Sequence, residues 1–302
     1  MDRCFFSVIV PVHNKLPHLE RSIASVLGQT HKNFELLIVD DASTDGSAEK
    51  LKTFNDPRIK LLHRDVAGAG GYAARNMGIA NATAEWICFL DADDEWDLGL
   101  LDMINSTILL HIGIEGIAWG WNKVNGEKRK LDRTSVLNSN HHFRMFGLKD
   151  LFTRRHTIWT GAVCFKKDLL QRAGLFPETG FKRGGDVDTW IRCLHLSKGN
   201  VWINKAMSFY YVDAVNMVTK TVKRESLYIF APYLLKLKTE SDDAELVKAI
   251  VGFQNDRIYT ILRWQIIEKE PFDYFLFKKM DMSVSTLVMA GKLAYNKLKY
   301  IF

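Results

Sequence analysis

Trp86-Ile87-Cys88-Phe89-Leu90-Asp91-Ala92-Asp93-Asp94-Glu95-Trp96 is an apolar run that ends abruptly in a cluster of acids. Five consecutive apolar residues are typical of a strand that is buried on both faces. The aspartates that follow repel one another unless a cation joins them. We therefore predict a site for Mg²⁺ or Mn²⁺ and a diphosphate at the carboxyl end of a central strand. The alternative is a solvated acidic turn that only caps the next helix.

The segments around this stretch alternate between strand-like and helical patterns over residues 5–110. Such alternation predicts βαβ units and an α/β fold with a mostly parallel sheet flanked by helices. The predicted strands besides Trp86–Leu90 are Phe5–Val10, Phe34–Val39 and Ile59–His63, and the predicted helices lie at about 17–27, 47–54, 72–82 and 98–110.

Polar loops follow three of these strands, at Pro11–Asn14, Asp40–Ser43 and Asp91–Asp94. In a parallel sheet, ligands bind beyond the carboxyl ends of the strands. Because the three loops are expected to converge at one edge, the sequence favours the ligand site over the acidic turn.

The glycine-rich segment Gly68–Gly71 matches neither the GxGxxG fingerprint nor the GxxxxGK[ST] phosphate loop. We interpret it as a flexible connection to the next helix. On that helix, Arg75 and Asn76 have two alternative roles. They either bind a phosphate or a base, or they only cap and solvate the helix.

A distant acid, Asp186, follows two glycines where a helix is expected to begin. One interpretation is an N-cap, because aspartate there accepts backbone N–H bonds and meets the helix dipole favourably. The other is a general base that faces a sugar site. Asp188 lies two positions further, on a different side of the helix, so only one of the two carboxylates can face the site.

The composition is that of a globular protein of 302 residues, with 47% hydrophobic and 25% charged residues. A net charge of +6 is too mild for a nucleic-acid-binding protein, and it suits a diphosphate substrate or an anionic membrane surface. The four cysteines lack CxxC spacing, which predicts buried free thiols in a reducing compartment. Without a signal peptide or a spanning apolar run, we expect a cytoplasmic protein, either free or peripheral on the inner face of the cell membrane.

From about residue 223 the chain is helical in character, with apolar positions at Leu246, Ile250, Phe253, Ile258 and Leu262. The segment Phe277–Phe302 carries five lysines and one aspartate, a net charge of +4. One hypothesis is a basic amphipathic helix that lies in a membrane interface. The alternative is a helix that packs on the domain and points its lysines to water.

Several segments occur in an order that resembles the family 2 glycosyltransferases: Ser7–Asn14, Gln29-Thr30, Glu35–Asp45, Ala74–Ile79 and Phe89–Asp94. The resemblance is specific over residues 5–110, weakens through about residue 215 and does not cover the C-terminal helices. It implies the A-type glycosyltransferase fold, in which a nucleotide-sugar-binding sheet carries an acceptor half. It also implies a reaction that inverts the anomeric centre.

The resemblance implies roles for individual residues on the donor side. Pro11, Val12, His13 and Asn14 match the loop that contacts the nucleoside, although the family more often has Tyr or Phe in place of His13. Asp41 matches the aspartate that bonds the uracil edge, Asp40 is expected to stabilise the loop, and Arg75 matches a nucleotide-side contact. Asp91, Ala92 and Asp93 match the Asp-x-Asp motif, whose last aspartate meets the metal and the diphosphate.

Two assignments stay open within the resemblance. The additional Asp94 leaves both Asp93 and Asp94 as candidate metal ligands. Asp186 matches the base of the family's Glu-Asp pair, but Gly185 replaces the usual Glu, so Asp188 is the alternative base.

These expectations combine into an inverting, metal-dependent glycosyltransferase that uses a UDP-sugar and Mg²⁺ or Mn²⁺. The acceptor is expected to be a glycan on a lipid carrier or lipid core, in bacterial cell-surface polysaccharide or lipopolysaccharide synthesis. We expect a catalytic domain at residues 1–215, with a donor half at about 1–110 and an acceptor half at about 111–215, and a helical extension at 216–302. The alternatives are a nucleotidyltransferase that makes a nucleotide-sugar and a non-catalytic sugar-binding module on the same fold.

Overall fold

The computed structural model of the chain describes residues 4–132, 142–153, 157–222, 227–281 and 286–293. The chain divides into two compact units, Met1–Val222 and Lys223–Phe302. The first unit contains the sheet with helices packed on it, and the described part of the second is helical. The predicted α/β fold with a helical C-terminal extension is therefore confirmed. The division of residues 1–215 into donor and acceptor halves stays a prediction.

The described residues of the first unit form ten strands: β1 (Phe6–Val12), β2 (Phe34–Asp41), β3 (Ile59–Arg64), β4 (Trp86–Phe89), β5 (Glu95–Trp96), β6 (Gly116–Asn125), β7 (Lys128–Leu131), β8 (Phe143–Phe146), β9 (Val163–Lys166) and β10 (Asn200–Tyr211). They make one sheet in the order β3-β2-β1-β4-β9-β6-β10-β5, with β7 beside β6 and β8 beside β10.

The sheet is parallel at one end and mixed beyond it. β1 pairs in parallel with β2 and β4, and β2 pairs in parallel with β3, as the βαβ pattern predicts. β9 runs antiparallel to both β4 and β6, whereas β10 is parallel to β6. The strand ends that carry the polar loops therefore lie at the same edge of the parallel part.

The helices of the first unit are Leu19–Leu27, Ser47–Leu51, Tyr72–Asn81, Leu100–Leu110, Leu148–Phe152, Lys167–Arg172, Gly185–Leu196 and Val218–Thr221. Those of the second unit are Pro232–Glu240, Ala244–Ile267 and Tyr274–Lys278, and residues 286–293 are also helical. The four helices predicted between residues 17 and 110 are all present, with ends that differ by a few residues.

Pro11 lies inside β1, so the prediction that this strand stops at Pro11 is wrong. β1 continues to Val12, beside Asp40 of β2. On its other edge, the carbonyl of Ile9 accepts from Leu90 N at 3.1 Å, and the pairing with β4 goes no further. Pro11 lies two residues beyond Ile9, where this edge of β1 has no partner strand. Proline lacks an N–H, and no hydrogen bond of the sheet is lost by its absence there.

The strand β10, with 12 residues, is absent from the sequence prediction. Its register against β6 shifts between Ile203 and Ala206 and again between Ala206 and Ser208. Such bulges break the two-residue alternation by which a strand is recognised. The polar stretch 122–132 contains the end of β6 and all of β7, while residues 133–141 lie outside the described part.

The helix Tyr72–Asn81 packs directly on β1 because one of its residues has no side chain. A Cβ on Gly78 would lie 2.5 Å from Cγ2 of Ile9, closer than real contacts allow. Glycine therefore lets the helix approach the sheet, and this approach places Arg75, on the same helix, near the ends of the strands.

The thiols agree with the prediction of unpaired cysteines. All four are free, and Cys88, Cys164 and Cys193 are buried, whereas Cys4 is half-buried. Cys88 of β4 and Cys164 of β9 are register partners in the sheet.

The second unit has its own core. Leu246, Ile250, Phe253, Ile258 and Leu262 are all buried in the helix Ala244–Ile267, as their spacing predicts. Ile258 and Leu262 pack in one cluster with Leu276, Met280 and Leu293. Among the described residues, no helix is both long and apolar enough to cross a membrane. Residues 282–285 and 294–302, which make up half of the segment Phe277–Phe302, lie outside the described part.

Candidate active site

The first acid after β4, Asp91, is paired with an arginine. Nη2 of Arg75 lies 2.5 Å from Oδ1 of Asp91, and Nη1 of Arg75 donates to the carbonyl of Gly70 at 2.9 Å. Gly70 and Gly71 have φ angles of 61° and 68°, in the region that favours glycine. The glycine segment is thus a shaped turn that receives the buried guanidinium of Arg75, rather than only a flexible connection.

Asp93 faces a lysine that the sequence analysis does not identify. Nζ of Lys15 lies 2.5 Å from Oδ2 of Asp93, and both side chains are only partly exposed, at 13% and 11%. Arg21 donates to the backbone carbonyl of Asp93. Its guanidinium also lies 3.4 Å from the centre of the Tyr211 ring, a cation–π contact. The acidic loop is therefore surrounded by positive charge from the chain itself.

Asp94 is fully buried, unlike the other two aspartates. Its Oδ1 accepts from the backbone N of Tyr211 at 2.8 Å, while Oδ2 has no hydrogen-bond partner among the described residues. Burial raises the pKa of the Asp94 carboxyl, and the charges of Asp93 and Asp91 raise it further. Asp94 therefore supports β10 from within the protein, and of the two candidate metal ligands only Asp93 remains accessible.

The acidic loop does not cap the next helix, which was the alternative to a ligand site. The helix Leu100–Leu110 begins after Gly99, and no side chain caps it.

The loop after β1 is joined to the end of β2. His13 Nδ1 lies 2.7 Å from the carbonyl of Asp41, and the backbone N of Thr44 donates to Oδ1 of Asn14 at 2.7 Å. Asn14 and Ala42 have φ angles of 53° and 54°. Alanine in the left-handed region is strained, and such strain is common where a backbone is shaped for a ligand.

Both acids at the end of β2 are buried and bonded. Asp40 accepts from His63 Nδ1 at 2.9 Å and from Ser43 N at 3.3 Å. Asp41 pairs with Arg64, and its Oδ2 accepts from Gly68 N at 3.1 Å. Asp41 thus connects β2 to the glycine segment that holds Arg75.

Asp186 lies in the first turn of the helix Gly185–Leu196, but the N-cap residue is Gly184 with a φ of 86°. Its Oδ2 accepts from Thr160 Oγ1 at 3.2 Å. Burial raises the pKa of the Asp186 carboxyl, nearby Arg75 opposes that change, and the charge of Asp91 adds to it. Asp186 therefore lies within electrostatic reach of the acidic loop, which an N-cap role does not require.

Asp188 has a structural partner of its own. It pairs with Arg192 at 2.9 Å, and both side chains are nearly buried. Arg192 Nη2 also donates to the carbonyl of Leu175 at 2.8 Å. The structure thus separates the two carboxylates as the helical geometry predicts, with Asp186 toward the site and Asp188 in the packing of the helix.

Aromatic side chains line the site on the Asp186 side. The ring of Trp159 lies 5.2 Å from that of Tyr210 and 5.6 Å from that of Trp121. Trp159 and Tyr210 are half-buried, and Trp159 directly precedes Thr160, the partner of Asp186. Burial raises the pKa of Tyr210, and Asp94, Asp91 and Asp93 add to the effect, so the ring also borders the acidic loop.

The structure brings together nearly all of the predicted residues at one edge of the sheet. Pro11 and Val12 end β1, Ala92 is buried within the acidic loop, and Asn76 turns away, bonding its amide to Phe176 O and Glu178 Oε1 at 2.9 and 2.8 Å. The sequence analysis misses Lys15, Arg21 and Thr160. A basic residue next to a predicted ligand loop is a usable signal for Lys15, whereas nothing in the sequence indicates the other two.

The donor atoms available suit a hard divalent cation. Asp91 and Asp93 offer carboxylates whose side chains are 27% and 11% exposed. No group of three or more His, Cys, Asp or Glu side chains forms a complete metal cage in the part of the chain described. Mg²⁺ usually takes one or two protein carboxylates and completes its shell with water and phosphate oxygens, so this set fits.

Comparison with known proteins finds a matching family model and similar solved structures. The family model described as "Glycosyl transferase family 2" matches residues 7–169. The crystal structure of S. aureus TarS 1–349 in complex with UDP-GlcNAc superposes with a TM-score of 0.73, covering 98% of this chain and 89% of that one at 16% identity. At this identity the likeness shows the fold alone.

Two bacterial proteins are similar in sequence to this chain, one over a shorter segment and the other at lower identity over most of it. WfgD of Escherichia coli, a UDP-Glc:alpha-D-GlcNAc-diphosphoundecaprenol beta-1,3-glucosyltransferase, is 44% identical over 110 residues, 36% of this chain and 43% of that protein. The minor teichoic acid biosynthesis protein GgaA of Bacillus subtilis (strain 168) is 25% identical over 294 residues, 84% of this chain and 64% of that protein. The chain thus spans less than two thirds of the length of either relative.

Proposed function

The chain belongs to glycosyl transferase family 2, whose model matches more than half of it, and we propose that it transfers a sugar from a UDP-sugar to a hydroxyl of a glycan acceptor with inversion. The main support for this proposal is that the ends of β1, β2 and β4 meet around the acidic loop. Lys15 after β1 and Arg75 after the glycine segment pair with Asp93 and Asp91. Asp186 lies within electrostatic reach of Arg75 and Asp91.

The donor is proposed to bind at the ends of β1 and β2. Asn14 and Ala42 hold a backbone shape there that costs energy, and His13 is exposed beside Asp41. UDP is favoured over other nucleotides because WfgD is a glucosyltransferase that uses UDP-Glc and TarS was crystallised with UDP-GlcNAc. In this proposal, Arg75 contributes positive charge to the diphosphate.

Asp93 is proposed as the ligand of Mg²⁺ or Mn²⁺, with Asp91 beside it. Asp94 is the weaker candidate because its carboxylate is fully buried and already bonded to Tyr211 N. A divalent cation held by Asp93 would supply positive charge to the departing diphosphate. Lys15, Arg21 and Arg75 add positive charge around the same loop.

Asp186 is proposed as the general base that removes the proton of the acceptor hydroxyl. Its carboxylate is held by Thr160 on the turn before β9, and its pKa is raised by burial. A raised pKa makes the carboxylate a better proton acceptor near neutral pH. The half-buried rings of Trp159 and Tyr210 are proposed to form the wall against which the acceptor sugar lies.

The acceptor is proposed to be a bacterial cell-surface glycan on a lipid carrier. GgaA is a minor teichoic acid biosynthesis protein, and the acceptor of WfgD is a diphosphoundecaprenol-linked sugar. The second unit supports a peripheral attachment to an anionic membrane. Its helix Tyr274–Lys278 buries Leu276 but exposes Tyr274 and Phe275, with Lys279 Nζ 5.0 Å from the Phe275 ring centre.

Donor screening tests the proposed reaction. The full chain is heated with UDP-, GDP- and dTDP-sugars, each with and without Mn²⁺, because a tight ligand raises the melting temperature by mass action. We expect stabilisation by a UDP-sugar that depends on Mn²⁺, and release of UDP when an acceptor is added. Stabilisation by GDP alone would replace the UDP assignment, and release of pyrophosphate would replace glycosyl transfer by nucleotidyl transfer.

Vesicle sedimentation tests the membrane attachment separately. The parent is expected to bind phosphatidylglycerol vesicles and sediment with them. The Lys278→Glu/Lys279→Glu variant is expected to lose this binding. Lys236→Glu/Lys248→Glu is the matched control, since both lysines are exposed on other helices of the second unit. Equal binding by parent and K278E/K279E would remove this surface from the proposal.

A further inference from the structure

We propose that Lys15 is a positioning residue that holds the segment after β10 onto the donor site while Asp93 carries no divalent cation. This inference rests on the proposed metal role of Asp93. It adds a competition: the ammonium of Lys15 and a divalent cation would both be held by the Asp93 carboxylate, so binding of one would oppose the other.

The ammonium of Lys15 has a complete set of acceptors. Nζ contacts Oδ2 of Asp93 at 2.5 Å, the carbonyl of Val215 at 2.9 Å and the carbonyl of Asn216 at 3.2 Å. A lysine ammonium has three donors, and here each has an oxygen. The side chain is 13% exposed, so the group is largely withdrawn from water. One carboxylate and two backbone carbonyls around a cation form a specific site and not a passing surface contact.

The segment 213–217 is attached to the same short stretch by further bonds. The backbone N of Val215 donates to Nε2 of His18 at 3.1 Å, and Nδ2 of Asn216 donates to the carbonyl of Asn14 at 3.2 Å. Asn216 has a φ of 51°, in the left-handed region that asparagine tolerates, and both its own carbonyl and that of Val215 accept from Nζ of Lys15. The segment thus rests on residues 14–18, which begin at the last residue of the loop Pro11–Asn14, and Lys15 is its one charged attachment among these bonds.

The competition follows from charge. A divalent cation bound to the Asp93 carboxylate would lie close to the ammonium of Lys15, which contacts that carboxylate at 2.5 Å, and two positive charges so near each other repel. Loading of Asp93 would therefore weaken its bond to Lys15, and with it the hold on Val215 and Asn216. Since coupling between two binding events is reciprocal, weakening that hold also strengthens the binding of the cation.

The first experiment measures Mn²⁺ binding to the full chain without any nucleotide, by water-proton relaxation. Lys15→Met is expected to bind Mn²⁺ about 10-fold more tightly than the parent, within the usual range of coupling between sites. Lys15→Arg keeps the charge and is expected to bind as the parent does. Lys50→Met is the control, since Lys50 pairs with Glu20 on the exposed surface of the same unit.

The second experiment follows hydrogen exchange in a peptide that spans 213–217. In the parent, Mn²⁺ is expected to speed exchange at this segment; Lys15→Met is expected to exchange fast with or without Mn²⁺. The proposal is overturned if the parent and K15M bind Mn²⁺ with equal affinity. It is also overturned if the exchange rate at 213–217 changes neither with Mn²⁺ nor with the substitution. Because no donor is present, these outcomes are independent of whether the protein transfers a sugar, and the parent's own response to Mn²⁺ decides the matter if K15M fails to fold.

Discussion

Oγ1 of Thr160 lies 3.2 Å from Oδ2 of Asp186, and 26 residues of sequence separate the two. The hydroxyl comes from the turn before β9, and the carboxylate from the first turn of the helix Gly185–Leu196. The bond fixes the orientation of the proposed base relative to the central strands. It also stabilises the charged form of the carboxylate, in opposition to the effect of burial.

The pH dependence of transfer should report this bond. Asp186 must be ionised to accept a proton, and burial raises its pKa. In the pH profile of kcat/KM, the midpoint of the acid limb is therefore expected above the ordinary pKa of aspartate. Thr160→Val removes a bond to the charged form and is expected to move the limb to still higher pH. Thr160→Ser, which keeps the hydroxyl, should leave it in place. A limb that is identical in all three proteins would assign the base elsewhere.

Asp186→Asn and Asp188→Asn should separate chemistry from stability. Asp186→Asn is expected to abolish transfer while keeping UDP binding and stability at pH 7. The substitution is not expected to lower the free energy of unfolding, because the pKa of Asp186 is raised in the folded state. The ionised carboxylate therefore destabilises the fold at pH values above that pKa, and Asn carries no such charge.

Asp188→Asn leaves the buried guanidinium of Arg192 without its carboxylate. The expected loss of stability is about 3 kcal/mol, in the range for removal of one partner of a buried ion pair. Chemical denaturation and single-turnover assays measure the two effects. Retained turnover in D186N with lost turnover in D188N would exchange the roles.

Asp93→Asn and Asp94→Asn should differ in nucleotide binding. Asp93→Asn is expected to abolish the Mn²⁺-dependent part of UDP binding, because it removes the accessible carboxylate. Asp94→Asn keeps an oxygen that can accept from Tyr211 N and is expected to retain metal-dependent binding. Calorimetric titration with UDP, with and without Mn²⁺, distinguishes them. The reverse result would make Asp94 the ligand.

The close packing of the helix Tyr72–Asn81 on β1 predicts a stability effect. Gly78→Ala places a Cβ 2.5 Å from Ile9 Cγ2 and is expected to destabilise the protein by about 1–3 kcal/mol, the cost of overpacking. Gly252→Ala is the matched control within a helix, since nothing lies within 4 Å of the added Cβ. It is expected to stabilise by about 0.5–1 kcal/mol through helix propensity. Unchanged melting of G78A would mean that the helix can move away from the sheet.

Sequence and structure contribute differently to the site. The sequence places Asp91, Asp93 and Asp41 at strand ends because a buried strand is a local apolar run and a ligand loop is a local polar one. It also separates Asp186 from Asp188, since the angle between successive helical positions is fixed. It misses β10, whose bulges disturb the alternation, and misplaces the end of β1 at Pro11, where only the extent of the neighbouring strand decides whether proline is tolerated.

The acidic loop after β4 shows where the sequence stops being sufficient. Its composition alone predicts a charged ligand site at the end of a central strand, because three carboxylates within four positions need positive charge nearby. Which carboxylate is exposed is a tertiary property, since Asp94 is buried by the backbone of Tyr211, 117 residues away. The pairing of Asp93 with Lys15, 78 residues away, is also tertiary. Local pattern determines the kind of site, and contacts between distant segments determine which atom serves it.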